Sequence, residues 1–419
     1  WLCVINFTAL SVTVIGITIF IRHELFAWII FIVFLSKTEK FVPFSHDYNT
    51  LYKEHAFYLY GAIRVLNCSI YFSRNPKIKL NKELLLRIIQ YLFYPAYSSI
   101  LIVLFEDFDA QMRDVEHGNN PKTDSYYHYN SKQLLNCYYL EIFNFIGILK
   151  LNSWTFRTVA VKILRLVLCY YSFELILHLI HVNSFFEADP QIFDSLSFYE
   201  VVSVAYLRGQ LFHMKYVVIF GIPAAFASLD GLKPPDPPIC ISRVSRYSRM
   251  WRNFDRGLYQ FLKNQIYLPI GRAITLPYCQ RLTATVATFL FVLAWHGVNS
   301  VYVCWVLFSG AELCIESIGK AINKTKLWWK ISDRIGAINQ RRIIAIAMNF
   351  TVTPGVLGVF FFLGGYGTGT KILKRTMLQG IYDCLHLNFT TEPYCFFFEK
   401  MQILTTSFHS FPKPLHNST

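Results

Sequence analysis

Long stretches of this chain carry no charged residue, and no other property constrains its fold so much. Trp1–Ile21, Ile88–Phe105, Leu282–Ala311 and Ile343–Thr370 contain no Asp, Glu, Lys or Arg, and Gly209–Leu229 contains only Lys215. A helix needs about 20 residues to cross the hydrocarbon core of a bilayer. Lipid offers the backbone no hydrogen-bond partner, so helix is the expected form of each run. Charged residues are 16% of the chain, against about 25% in soluble domains. The fold class expected is all-α, a polytopic transmembrane bundle.

Along the chain the pattern predicts about eight spans. Beyond the runs above, Phe57–Phe72 is a weaker apolar stretch, apolar character returns near 138–149, and Leu166–Phe186 is strongly apolar. Leu25–Ser36 is short enough for a re-entrant segment. Residues 106–133 are hydrophilic and read as an exposed loop. The segment 230–238 holds four prolines, which deny it a continuous helix and make it a rigid connector. From Arg243, arginines recur every three or four residues among Val244, Tyr247, Trp251, Phe254 and Leu258, the pattern of an amphipathic interfacial helix. The glycine-rich stretch Gly355–Gly369 predicts close helix packing or a broken helix end. The final apolar patches, 376–412, are short. Because the chain opens at Trp1 inside an apolar run, its true N-terminus is expected to lie upstream.

The net charge of +14 sits between the apolar runs. That placement suits membrane flanks and anionic headgroups rather than nucleic acid. Basic stretches flank 282–311 on both sides, so the positive-inside rule votes both ways for that segment and fixes no orientation. Ten cysteines without a regular spacing argue against a zinc site and against a secreted disulfide framework. Asn67-Cys-Ser and Asn388-Phe-Thr are glycosylation sequons, usable only where their loops face the lumen.

His296 is the strongest chemical signal. It stands 15 residues after Arg281 and 16 before Glu312. Ionisable groups at such depth are costly and usually face a cavity or pathway. An imidazole is able to stay neutral there, as a general base must. The alternative is a packing histidine bonded to a carbonyl. Asp255 lies upstream in Met250-Trp-Arg-Asn-Phe-Asp255, flanked by Arg252 and Arg256, and is expected to be ionised; an interfacial salt bridge explains it equally simply. Glu174, His178 and His181 fall at helical spacing. With His296 they leave open a proton-coupled transporter.

Trp295-His296-Gly297, with Asp255 upstream, resembles the membrane-bound O-acyltransferase superfamily. The run Lys215 to Ala224, the block Leu229-Asp-Gly-Leu-Lys-Pro-Pro235, Cys240, the segment 250–255, Tyr267-Leu-Pro-Ile-Gly271 and 294–297 are similar to its Hedgehog-acylating branch. The likeness is dense over 209–320, the expected catalytic core of one domain covering 1–419. Two positions depart: Val298 stands where a second glycine is usual, and Ser98-Ser-Ile100 where Gly-Pro is usual.

The resemblance implies transfer of palmitate from palmitoyl-CoA to the N-terminal cysteine amine of a Hedgehog-type secreted protein. The reaction would run within the membrane of the endoplasmic reticulum or Golgi, with no nucleic-acid partner. It implies His296 and Asp255 as the catalytic pair, and Trp251, Arg252 and Trp295 as lining of the reaction chamber. It implies Cys240 as a thiolate ligand of haem b. A lysophospholipid or sterol acceptor would use the same histidine and stays open.

Overall fold

A computed structural model describes residues 2–41, 48–98, 100–116, 156–241, 246–275 and 277–379. Every regular element among them is helical. The first part of the chain forms α1 (Leu2–Ile21), α2 (Glu24–Phe41), α3 (Tyr48–Arg74), α4 (Lys82–Phe93) and α5 (Phe105–Glu116). The middle forms α6 (Phe156–Leu179), α7 (Val182–Glu187), α8 (Ile192–Ser195), α9 (Phe198–Leu229), α10 (Tyr247–Phe254), α11 (Arg256–Phe261) and α12 (Leu268–Ala273). The last part forms α13 (Pro277–His296), α14 (Ser300–Ile322) and α15 (Lys326–Lys374).

Three described helices are long and apolar enough to span a bilayer: α1 from Cys3, α9 and α14. Glu24–Ser36 in α2 is a shorter apolar segment. Among the described residues, individual sequence runs are interrupted. Ile88–Phe105 is the clearest correction. Pro95 follows Tyr94, whose backbone is extended (φ −61°, ψ 115°), so α4 ends and a 3-10 turn at Pro95–Tyr97 follows. Residues 101–104 then run without helix, and all four are buried. The predicted loop beyond becomes α5 as far as Glu116; the remainder of 106–133, and the patches at 138–149 and 380–412, lie outside the described residues.

The described chain folds as two compact units that interleave along the sequence. The first holds Trp1–Glu174, Met214–Ile239 and Asn253–Trp295. In its core Phe7 of α1 packs edge-on to Phe57, Tyr58 and Phe93. The Phe7 ring lies so close to Gly61 that a Cβ there would come within 2.4 Å of it. On its other side α1 leaves Ile5, Val12 and Phe20 exposed, a surface suited to lipid. Two buried arginines make the broken α4–α5 region possible. Arg64 donates to the carbonyls of Leu92 and Ser98, where no helix partner remains. Arg87 pairs with Asp109 (3.3 Å) and Glu116 (2.6 Å). Ser98, at one of the two departures, thus supplies an acceptor for Arg64. Asn67 is 2% exposed in mid-α3, so that sequon is closed to a glycan in the folded chain.

The second unit holds Leu175–His213, Cys240–Arg252 and the chain from His296 onward. Its core is the pair α14 and α15. Phe308 stacks on Phe361, and Gly358 and Gly355 admit Phe308 and Glu312 at distances that a Cβ would foul. Positive φ at Gly336 (78°) and Gly365 (79°) interrupts α15. The second of these is the break that the glycine-rich stretch predicted.

Candidate functional site

His296 is the last residue of α13, and the chain turns at once. Gly297 has φ +99°, a region closed to most side chains. Asn299 then accepts from the amide of Tyr302 at 3.0 Å and starts α14. The single charge-free window of 282–311 is therefore two helices, and His296 stands at a helix end rather than at mid-span. The contradictory charge votes for that window were cast for one continuous helix, and the window holds two. Val298, at the other departure, is 77% exposed and turned away from the packed interior.

Within the second unit the His296 ring is enclosed by aromatics. Trp305 meets it edge-on at 5.2 Å between ring centres, Phe362 at 5.6 Å and Tyr302 at 5.7 Å. Trp305 also stacks on Trp251 at 5.6 Å, and Phe212 packs on Phe362. Trp251 is held by its own helix. Tyr247, one turn earlier on α10, shares a 2.8 Å hydrogen bond with Ser309 on α14. Ser248 donates its amide and hydroxyl to Glu316 at 2.8 and 2.6 Å, and Lys320 closes the same carboxylate. Of the residues predicted from sequence, Trp251 is joined to His296 through Trp305. Arg252 is exposed on α10, and Cys240 is half-buried in the same unit. The start of the arginine-rich segment, 242–245, lies outside the described residues.

Asp255 and Trp295 belong to the first unit. Trp295 is buried, stacked on Phe291 and edge-on to Tyr60. Asp255 ends α10 and caps α11, with extended backbone (φ −126°, ψ 95°) and a 2.9 Å bond from the Leu258 amide. Part of the residue stays exposed, but its carboxyl group is enclosed. Desolvation raises it to about 6, against smaller opposing contributions from the amides of Leu258 and Gly257. The expected salt bridge to Arg256 is not made, because that guanidinium is taken by Asp236. The proline connector braces this corner. Ile239 donates to the Asn253 carbonyl at 3.1 Å, Tyr94 reaches Asp230 at 2.6 Å, and Gln111 accepts from the Lys233 amide at 2.7 Å. Gly257 lets the chain at Ile102 pass directly over it, where a Cβ would stand 2.2 Å from the Ile102 carbonyl oxygen.

The chain matches the membrane-bound O-acyltransferase family over residues 8–353, most of its length. It belongs to that family. It is 32% identical over 207 residues to the protein-cysteine N-palmitoyltransferase Rasp of Drosophila melanogaster, covering 49% of this chain and 41% of that protein. It is 30% identical over 217 residues to the protein-cysteine N-palmitoyltransferase HHAT of Mus musculus, covering 52% of this chain and 43% of that protein. It is 22% identical over 205 residues to the membrane-bound O-acyltransferase GUP1 of Saccharomyces cerevisiae, covering 48% of this chain and 35% of that protein. The matched region spans about two fifths of the length of the first two relatives.

Membership gives the residues around His296 a context that the sequence pattern lacked. Tyr302, Trp305 and Phe362 were not singled out from the sequence. With 38 Phe, 26 Tyr and 8 Trp present, an aromatic near a histidine carries little information, and Phe362 is 66 positions away. For haem in this acyltransferase family, the donor chemistry of Cys240 is suitable, since a thiolate is an established axial ligand. Cys240 is a half-buried thiol that follows the rigid proline connector.

Proposed function

We propose that this chain carries out protein palmitoylation, moving palmitate from palmitoyl-CoA to the N-terminal cysteine amine of a Hedgehog-type secreted protein within the membrane of the endoplasmic reticulum. The observation that carries the reading is His296 at a capped turn inside an aromatic enclosure, in a family whose relatives here are named protein-cysteine N-palmitoyltransferases. The free amine attacks the thioester carbonyl carbon and a C–N bond forms. The C–S bond breaks and CoA leaves through its sulfur. His296 takes the proton from the attacking nitrogen and returns it to the departing thiolate, so nothing is consumed beyond the two substrates.

The aromatic rings hold the imidazole and keep water away, which strengthens each polar contact made there. Trp251, joined to His296 through Trp305, carries an indole N–H suited to the carbonyl oxygen as it gains charge, and Trp295 is the other indole that the resemblance gives to the chamber lining. Asp255 fixes the α10–α11 corner and supplies a carboxylate whose proton affinity is raised. Arg252, exposed on α10, supplies a cation for CoA phosphates. Cys240 would hold haem b, which adds a redox-active iron when bound.

The test uses the full-length protein, palmitoyl-CoA and a peptide with a free N-terminal cysteine copied from a Hedgehog protein. Placed-base catalysis is worth about 10²–10⁴ in rate, so His296→Ala should lose turnover by that factor, and an N-acetylated peptide should not react. Turnover unchanged in His296→Ala would refute the role of this residue. Acylation of a lysophospholipid in place of the peptide would refute the acceptor.

A further inference from the structure

The second unit carries a cavity of about 320 Å³ far along the chain from His296, near the lower bound of small-ligand sites. Its lining is Pro190, Asp194, Tyr366, Gly367, Thr370, Lys371, Lys374 and Arg375. Three cations thus face one carboxylate. Lys371 is paired with Asp194. Arg375 is held by a bond to the Leu196 carbonyl, and its Nε is buried with no partner among the described residues. Lys374 is exposed and meets no acid among the described residues. Thr370 has spent its hydroxyl on the Tyr366 carbonyl at 2.7 Å. The free donors of the cavity are therefore cationic.

A helix C-terminus attracts cations, and these residues sit where α15 gives way to a π-helical turn at Arg375–Gln379. That end contributes only about half a negative charge. With Asp194 included, more than one positive charge remains unbalanced. Position supplies a second, independent argument. The charge-free run Ile343–Thr370 ends immediately before Lys371. The run is interrupted at Gly365, and the cluster Lys371, Lys374 and Arg375 supplies the first charges beyond it, the place where basic residues flank apolar segments and meet lipid phosphates. Gly367 contributes space, since Pro190 packs against it at a distance that a Cβ would foul.

We propose that this cavity binds a phosphate monoester, presented either by an anionic lipid headgroup or by a free phosphate. A monoester carries between one and two negative charges near neutral pH, which matches the unbalanced charge. Neither the palmitoylation reading nor the residues around His296 enter this inference.

The experiment uses the full-length protein in nanodiscs and two probes with identical dioctanoyl tails, one phosphatidic acid and one phosphatidylcholine. Phosphatidic acid should bind more tightly. Lys374→Ala should weaken it about fivefold, the usual effect of one basic residue near a charged surface. Asp194→Asn removes the competing carboxylate and should tighten binding, a gain that misfolding cannot produce. Inorganic phosphate at millimolar concentration separates the sources. Full displacement assigns the site to free phosphate, and displacement only by phosphatidic acid assigns it to the headgroup. Equal binding of the two lipids, or identical affinity in Lys374→Ala and Asp194→Asn, overturns the proposal.

Discussion

Asp255→Asn separates the structural cost of this carboxyl group from its use. Its ordinary value is 3.8 and burial raises it to about 6. At about 1.4 kcal/mol per tenfold change, ionised Asp255 is on the order of 3 kcal/mol less favourable in the fold than in the unfolded chain. The sign follows from linkage. The folded state holds the proton more tightly, so the contribution to stability is full below about pH 4 and is lost as pH rises through about 6. Asparagine carries no charge and still accepts from the Leu258 amide through its oxygen, so the cap survives. It loses a second acceptor oxygen, costing about 1 kcal/mol through the Gly257 amide. The variant should therefore gain roughly 2 kcal/mol at pH 7.5, a rise of about 2 °C in melting temperature for a chain of this size. The gain should shrink as pH falls and reverse by about pH 4, where only the lost acceptor, about 1 kcal/mol, separates the two. Tryptophan-fluorescence melts of the purified protein in detergent at several pH values measure it directly. If wild type and variant keep parallel stability from pH 4 to pH 8, the desolvation argument is wrong. The proposed palmitoyl transfer should fall in the stabilised variant, which would separate a chemical use of the carboxyl group from its cost to the fold.

Gly257→Ala places a methyl against the Ile102 carbonyl and should cost about 3 kcal/mol, the upper end for overpacking because the neighbour is backbone; a melt within a degree of wild type would contradict that packing. Trp305→Leu keeps apolar bulk but loses edge-to-face contact with His296, worth about 0.5–1.5 kcal/mol. It should lower kcat about tenfold, with little further loss when combined with His296→Ala, and additive losses in the double variant would argue against the contact. The proposed haem b requires a haem absorption band in the purified protein that Cys240→Ala abolishes while the protein stays folded; no band in wild type would refute haem binding, and an unchanged band in the variant would refute Cys240 as its ligand.

The fold class was legible because lipid imposes it. A charge-free run of membrane length has few alternatives to helix, and α1, α9 and α14 form where such runs lie. The interruptions were less legible, because local signals compete with the apolar run around them. Pro95 is visible in the sequence, yet only the buried Arg64 and Arg87 make a non-helical passage affordable there. The turn after His296 depends on Gly297 and Asn299, two ordinary residues whose joint effect is clear once φ and the cap are known. Likewise the Glu174, His178 and His181 face fails at its last member, since α6 ends at Leu179 and His181 stands at the start of α7. The proton relay that those three residues suggested loses its continuous helical face.

The same turn bears on the chemistry proposed for His296. In mid-helix its imidazole would face carbonyls already engaged by the helix ladder. As the last residue of α13 it belongs to the final turn, whose carbonyls have no partner further along the helix. These carry the negative end of the helix dipole, which favours a cation by about 0.3–1 kcal/mol, and up to about 2 kcal/mol where solvent is scarce. A base that becomes an imidazolium during amine attack gains from that placement only while it holds the proton. The gain is therefore greater in the transition state than in the resting enzyme, the condition for an interaction to raise kcat. Gly297 makes it possible by ending the helix there. Gly297→Ala strains a backbone at φ +99° but introduces no clash within 4 Å. It should lower kcat more than it lowers binding of the peptide, and an effect confined to KM would place the importance of the turn in substrate binding.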